Sequence, residues 1–324
     1  MSPSPPEVEG APRRSLRRPI REPVLLQVIV AAFVFALMGG VYLWQTRRTA
    51  AMAARLEAAE PLLDRGDVPS LRRATLELQA ALAIRPGNDV ARSRLALVHD
   101  LLWLEHGLDD AREAGKALTA AVVRDDLPTP ERHVAEVLLA VVERRFSTVD
   151  AVAKAAAGAS AAGRLAWAFG LAELAREQPR PAREWLRKAV ADRPDAAHWQ
   201  LALGDALDGD GDPRGAAAAW AAAARANPAD LQAVARDLAA RLRRGDAPAP
   251  LEAELTRLDA TPDAAAGPRD RAALLGARAT LAVVRQDAPA ATTALDEALR
   301  LAPDDPWVLR LRRAVPVGAE TARP

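Results

Sequence analysis

The sequence predicts an all-α fold, with a single N-terminal apolar helix followed by an α-solenoid of six to seven antiparallel helix pairs. Three observations predict it. Val24 to Trp44 runs without a single charged residue. Pro194, Pro228 and Pro262 recur at intervals of 34 residues, each closing an apolar helical stretch and preceding another. The chain is 50% hydrophobic but only 4% aromatic, and an Ala/Leu-rich composition of that kind favours helices. No segment alternates apolar and polar residues in the manner of a half-buried strand, and no Asn-Gly hairpin signal is present.

Residues 1–22 are rich in Pro, Ser and Arg and are expected to form a disordered cytoplasmic tail. Residues 23–45 are expected to be a transmembrane anchor, with 24–44 crossing the bilayer, because about twenty apolar residues span its hydrocarbon core as a helix. Pro23 suits the first helical position, where its missing N–H costs nothing. Tyr42 and Trp44 sit where amphipathic rings settle at the headgroups. A cleaved signal peptide has a shorter apolar core and a small-x-small cleavage site, whereas this segment ends in Tyr-Leu-Trp-Gln-Thr-Arg-Arg. Five Arg (Arg13, Arg14, Arg17, Arg18, Arg21) precede the helix and three (Arg47, Arg48, Arg55) follow it. That bias predicts a cytoplasmic N-terminus and a periplasmic C-terminal region. Ala32, Ala36 and Gly40 share one helix face at a spacing that suits a homodimer of anchors, although an alanine-rich helix gives the same spacing without one.

The 34-residue period organises residues 46–315. The most regular unit, 197–230, carries Leu203-Gly204 in its first helix, Gly211-Asp212 at the turn, Ala216, Trp220 and Ala223 in its second helix, and Pro228 at its end. The unit 163–196 carries Phe169-Gly170, Ala182, Leu186, Ala189 and Pro194; the unit 231–264 carries Gly245-Asp246, Leu255 and Leu258. In the latter, Pro250 stands where a small residue is expected, so the second helix is predicted to begin there. The unit 269–304 keeps Ala291, Leu295, Ala298 and Pro303, and the unit 52–87 keeps Ala74, Leu78, Ala81 and Pro86. Residues 88–160 hold two less regular units, with apolar rows Leu95, Val98, Leu102 and Val134, Val137, Leu138, Val141, and Thr129-Pro130-Glu131 opening a helix. Residues 305–314 read as a closing helix, which a repeat array needs because its last apolar face has no neighbour. Residues 316–324 are expected to be a disordered tail.

This pattern resembles the tetratricopeptide repeat: a 34-residue helix pair, a Leu-Gly pair in the first helix, a small-large-small row in the second, and a terminal Pro. The resemblance covers about 52–304 and is strongest in 163–262. It implies a superhelix whose concave face, lined by the first helix of each pair, binds peptide segments or helices of partner proteins. The lining it implies here is Arg164, Trp167, Leu171, His198, Leu201, Asp205, Ala235, Ala239 and Leu242. Members of the family that clamp a C-terminal carboxylate use paired Asn and Lys, and this chain has only Asn88 and Asn227, so an apolar or amphipathic helix suits the lining better.

No constellation points to chemistry. Asp208-Gly-Asp210-Gly-Asp212 starts like a calcium loop, but the sixth place is Pro213 and the twelfth is Ala219; the segment reads as a turn in which Asp caps the next helix. His99 and His106, seven apart, lack a third ligand, and the chain has no Cys, so no common zinc set forms. His133 and His198 read likewise as surface or groove residues. P-loop, dinucleotide and nucleophile-elbow motifs are missing. Paired acids such as Asp109-Asp110 and Asp304-Asp305 fall at helix starts. We therefore expect no catalytic, cofactor or metal residues and no enzyme. Residues 1–45 carry a net +2, which leaves −1 for the rest, too little positive charge for nucleic acid. The expected function is a membrane-tethered protein-interaction scaffold of the bacterial envelope. The alternative is a permanent structural subunit of an envelope assembly serving secretion, pilus, motility or cytochrome c maturation. Ancillary translocon subunits and cytochrome c assembly factors have a similar layout.

Overall fold

The computed structural model describes residues 22–127, 129–156 and 162–315. The tails expected at 1–21 and 316–324 lie outside the described residues; Glu22, read as tail, opens the first helix. The chain divides into two units, residues 1–50 and 51–324.

The first unit holds most of a 44-residue helix, α1 (Glu22–Arg65). From Leu25 to Trp44 its large apolar side chains are exposed, Phe33 by 69% and Phe35 by 75%. This helix is long and apolar enough to cross a membrane. Its last third, from Ala51, belongs to the other unit, so the first repeat has no separate opening helix.

Among the described residues, the second unit is built of seven helix pairs and a cap. The pairs are the end of α1 with α2 (Val68–Ile84), α3 (Asp89–Leu104) with α4 (Asp109–Arg124), α5 (Pro130–Val142) with α6 (Phe146–Ala155), α7 (Ala162–Ala175) with α8 (Pro179–Asp192), α9 (Ala197–Gly209) with α10 (Pro213–Ala226), α11 (Leu231–Arg243) with α12 (Pro248–Asp259), and α13 (Pro268–Val284) with α14 (Ala288–Leu301). The cap is α15 (Pro306–Ala314), opened by Asp305, whose side chain accepts from the N–H groups of Trp307 and Val308. A 3-10 turn, Asp263–Ala265, fills the longer connection before α13.

The repeat rows account for the packing. In α8 the buried residues are Ala182, Leu186 and Ala189, and in α14 they are Ala291, Leu295 and Ala298. Each row is one helix stripe at i, i+4, i+7, with a large side chain between two small ones. The large residue enters the partner helix where that helix is smallest. A Cβ on Gly170 would collide with Leu186, and one on Gly204 with Trp220. Trp220 therefore packs into its own pair, and the centre of its ring lies 5.7 Å from the guanidinium of Arg243 in the next pair. Trp167, Trp199, Trp220 and Trp307 are all fully buried. Helix α12 begins at Pro248, two residues before the predicted start, and Pro250 lies in its first turn, where its missing N–H does no harm. His106 lies beyond the end of α3, so it shares no helix face with His99.

Candidate protein-interaction site

The turn between α1 and α2 packs against residues of pairs four and five, among them Arg164, His198 and Asn227. Its tip, Gly66, has φ +75°, and a Cβ there would come within 2.9 Å of the Cβ and Nδ1 of His198. Glycine is needed on both counts, since an L side chain strains the left-handed region and would strike the imidazole.

Three successive carbonyls of this turn each meet a polar side chain from elsewhere. His198 Nδ1 lies 3.2 Å from Asp64 O, Asn227 Nδ2 donates to Arg65 O at 3.1 Å, and His106 Nε2 lies 2.7 Å from Gly66 O. Asn227 also donates to the Asp67 carboxylate at 2.6 Å, while Asp67 caps α2 through Ser70 N at 2.9 Å. Two carboxylates one helical turn apart complete the contact. Glu60 pairs with Arg164 at 2.8 Å, Arg193 at 2.7 Å and Arg94 at 3.0 Å. Asp64 pairs with Arg193 at 2.7 Å. Burial works against the Glu60 charge, but the three guanidinium groups outweigh it and hold the carboxyl at about 2.

A second turn, between α3 and α4, reaches the last pairs. His106 Nδ1 lies 2.8 Å from Asp270, Gln232 Nε2 donates to Glu105 O at 2.6 Å, and the Arg269 N–H donates to His106 O at 3.2 Å. Burial opposes a charge on His106, but the Asp270 carboxylate, by charge and hydrogen bond, with Glu105 and Asp230 adding, lifts its pKa to about 10. His106 is therefore an imidazolium that donates from both nitrogens, to Asp270 and to Gly66 O. His198 goes the other way. Burial, with the Arg164 charge adding, pushes it down to about 3. It is a neutral imidazole, and the Asp64 carbonyl selects the tautomer with the proton on Nδ1.

The nine positions implied by the repeat pattern fall into two groups. Trp167, His198, Ala235, Ala239 and Leu242 are buried; His198 lies under the α1–α2 turn, and the other four belong to the hydrophobic core. Trp167 packs edge-on against His198 at 5.0 Å between ring centres. Arg164, Leu171, Leu201 and Asp205 remain half-buried. Of these, Arg164 holds Glu60, and Asp205 accepts from Trp220 Nε1 at 3.1 Å and Arg236 Nε at 2.9 Å. Glu60, Asp64, His106, Arg193, Asn227 and Asp270 were missed by the sequence pattern. Their available signal is slight: Gly66-Asp67 repeats the Gly-Asp turn of 211–212 and 245–246, and Glu60 and Asp64 share a helix face.

In the Asp208–Asp212 segment each acid has a partner. Asp212 caps α10 through Gly215 N at 2.9 Å, Asp208 accepts from Arg310 at 3.0 Å, and Asp210 pairs with Arg183.

Stacked antiparallel pairs, four of them locked by a small-large-small row, with one capping helix at the end of the array, define an α-solenoid. Its fold is that of the tetratricopeptide repeat. The chain is similar to human IFIT1, solved as a dimer with m7Gppp-AAAA, with a TM-score of 0.52 and 15% identity over 76% of this chain and 58% of that one. It also matches a tetratricopeptide repeat protein of Parabacteroides merdae (TM-score 0.41, 13% identity, 82% of this chain and 99% of that one). A further match is Pseudomonas aeruginosa pilF (TM-score 0.35, 17% identity, 82% and 99%). At such identities the likeness is one of fold alone. No protein-family model matches the sequence. No curated protein matches it either.

Proposed function

We propose that this protein is a membrane-tethered interaction scaffold without enzymatic activity. Its apolar helix, residues 24–44, anchors it in a bacterial inner membrane with the N-terminus cytoplasmic and the solenoid periplasmic. The solenoid engages peptide segments or helices of partner proteins from its concave side. The observation that carries this reading is the pairing of an exposed apolar helix with a tetratricopeptide-type solenoid in one chain. The partner-facing residues in this reading are the half-buried Arg164, Leu171, Leu201 and Asp205, with the five buried positions supporting them from beneath.

The rival reading, a subunit in permanent contact with an envelope assembly, calls for a large exposed apolar patch. In the second unit the exposed large hydrophobic side chains among the described residues are Leu76, Val283, Val284 and Leu301. They are divided among α2, α13 and α14, which favours reversible partners. The stripe Ala32, Ala36 and Gly40 lies on exposed surface of the anchor and is available to a second copy.

The test is a reporter that works only outside the cytoplasm, fused after Pro324, combined with capture of native complexes in mild detergent. Activity outside together with one enriched envelope protein is the expected result. A cytoplasmic C-terminus overturns the localisation.

A further inference from the structure

We propose that the concave side is a binding site for an acidic helix terminus, and that the chain's own α1–α2 turn is its resident ligand. The inference rests on the scaffold reading and names the class of segment that the scaffold takes. The turn is held as a bound peptide is held. Two carboxylates at i and i+4, Glu60 and Asp64, meet a set of guanidinium groups drawn from α3, α7 and the α8–α9 connection. Three consecutive backbone carbonyls, at 64, 65 and 66, are each met by a different side chain. Contacts to main-chain carbonyls hold a segment in register whatever its side chains, and the paired guanidinium groups add selection for negative charge.

The same contacts make exchange feasible. The ion pairs Arg193–Glu60 and Arg193–Asp64 involve side chains that are 24–33% exposed, so water can replace either partner at little cost, whereas Arg164, only 12% exposed, needs another carboxylate in place of Glu60. A partner helix that ends in two acids one turn apart and then a Gly turn carries the same groups. It therefore competes for Arg94, Arg164 and Arg193 and for the side chains of His198 and Asn227. Segments ending in Lys or Arg meet like charge there and are excluded.

The test uses the full chain in detergent and a labelled peptide spanning residues 56–71. Gly66→Val is the releasing variant, because the added side chain has no room beside His198. The peptide is expected to bind Gly66→Val at least roughly tenfold more tightly than wild type, and to lose that gain when Arg164→Gln and Arg193→Gln are added. A version with Lys at 60 and 64 is expected not to bind. Hydrogen exchange on wild type provides a readout that needs no variant: excess acidic peptide should speed exchange of amides 60–70 and leave helices α9 to α14 unchanged. No peptide binding to the released variant, or no change in wild-type exchange, overturns the proposal. A native partner captured while the peptide fails everywhere would reject this site and leave the scaffold reading standing. Peptide binding with no native partner would do the reverse.

Discussion

At the scale of single residues, the closure depends on two histidines in opposite protonation states. Unfolded, each would titrate near 6.5. His106 holds its proton up to about 10, so the stability it contributes is complete below about pH 6.5 and is lost as pH rises through 10. His198 stays neutral down to about 3, so its contribution is complete above 6.5 and is lost as pH falls toward 3. Melting temperature against pH should thus fall on both sides of a maximum. His106→Gln should flatten the alkaline side, and at pH 7 should cost about 3 kcal/mol in denaturant unfolding, since it leaves Asp270 buried without its cation. His198→Asn should flatten the acid side instead. Gly66→Ala should cost about 1–2 kcal/mol from the left-handed backbone alone, with more from the contact with His198; an unchanged denaturation midpoint would mean the turn does not press on that ring. The pairings of these residues are not legible in the sequence. Each acts across more than a hundred positions of chain or through an approach that no local pattern encodes, as with His106 and Asp270, 164 residues apart.

At the scale of the helix pair, legibility was high for a physical reason. A small-large-small stripe at i, i+4, i+7 leaves one side chain to fill the space between two helices, and the partner must thin there. Ala182-Leu186-Ala189 against Gly170 and Ala216-Trp220-Ala223 against Gly204 are both readable from spacing, and both form in the structure. The less regular pairs in 88–160 also form, because their apolar rows keep helical period even without the repeat's signature: Val134, Val137 and Leu138 are completely buried. The row of Trp220 is legible, but the side on which its large ring settles is not: it packs on Gly204 of its own pair and also faces Arg243 of the next. Trp220→Ala should cost about 3–5 kcal/mol. Gly204→Ala should cost about 1–3 kcal/mol by overpacking against the indole, and the double variant should cost less than the sum of the two, because the cavity left by Trp220 accommodates the methyl group. Strict additivity in urea unfolding would separate the two residues.

At the scale of the whole second unit, the turns of the first two pairs reach residues of the last four, and this closure was not legible. Repeat signatures describe one pair and its neighbour. The contact between distant pairs depends on small rotations summed over several repeats, together with a few polar groups that happen to face one another at the end of that sum. Of the nine positions in the expected groove lining, five are buried: His198 under the α1–α2 turn, and Trp167, Ala235, Ala239 and Leu242 in the hydrophobic core. The account therefore turns on the closure itself, and it can be measured directly. Arg72 Nη1 donates to the carbonyl of Ala264 at 2.7 Å across 192 residues, and both positions are exposed. The chain has no cysteine, so Arg72→Cys with Ala264→Cys introduces the only two thiols. A short bis-maleimide cross-linker, whose reach matches that of the arginine side chain it replaces, should give a rapid intramolecular cross-link in the detergent-solubilised full chain, seen as a faster band on a denaturing gel. Two thiols that label separately and never cross-link, in a protein with unchanged helical circular dichroism, would contradict the closed solenoid.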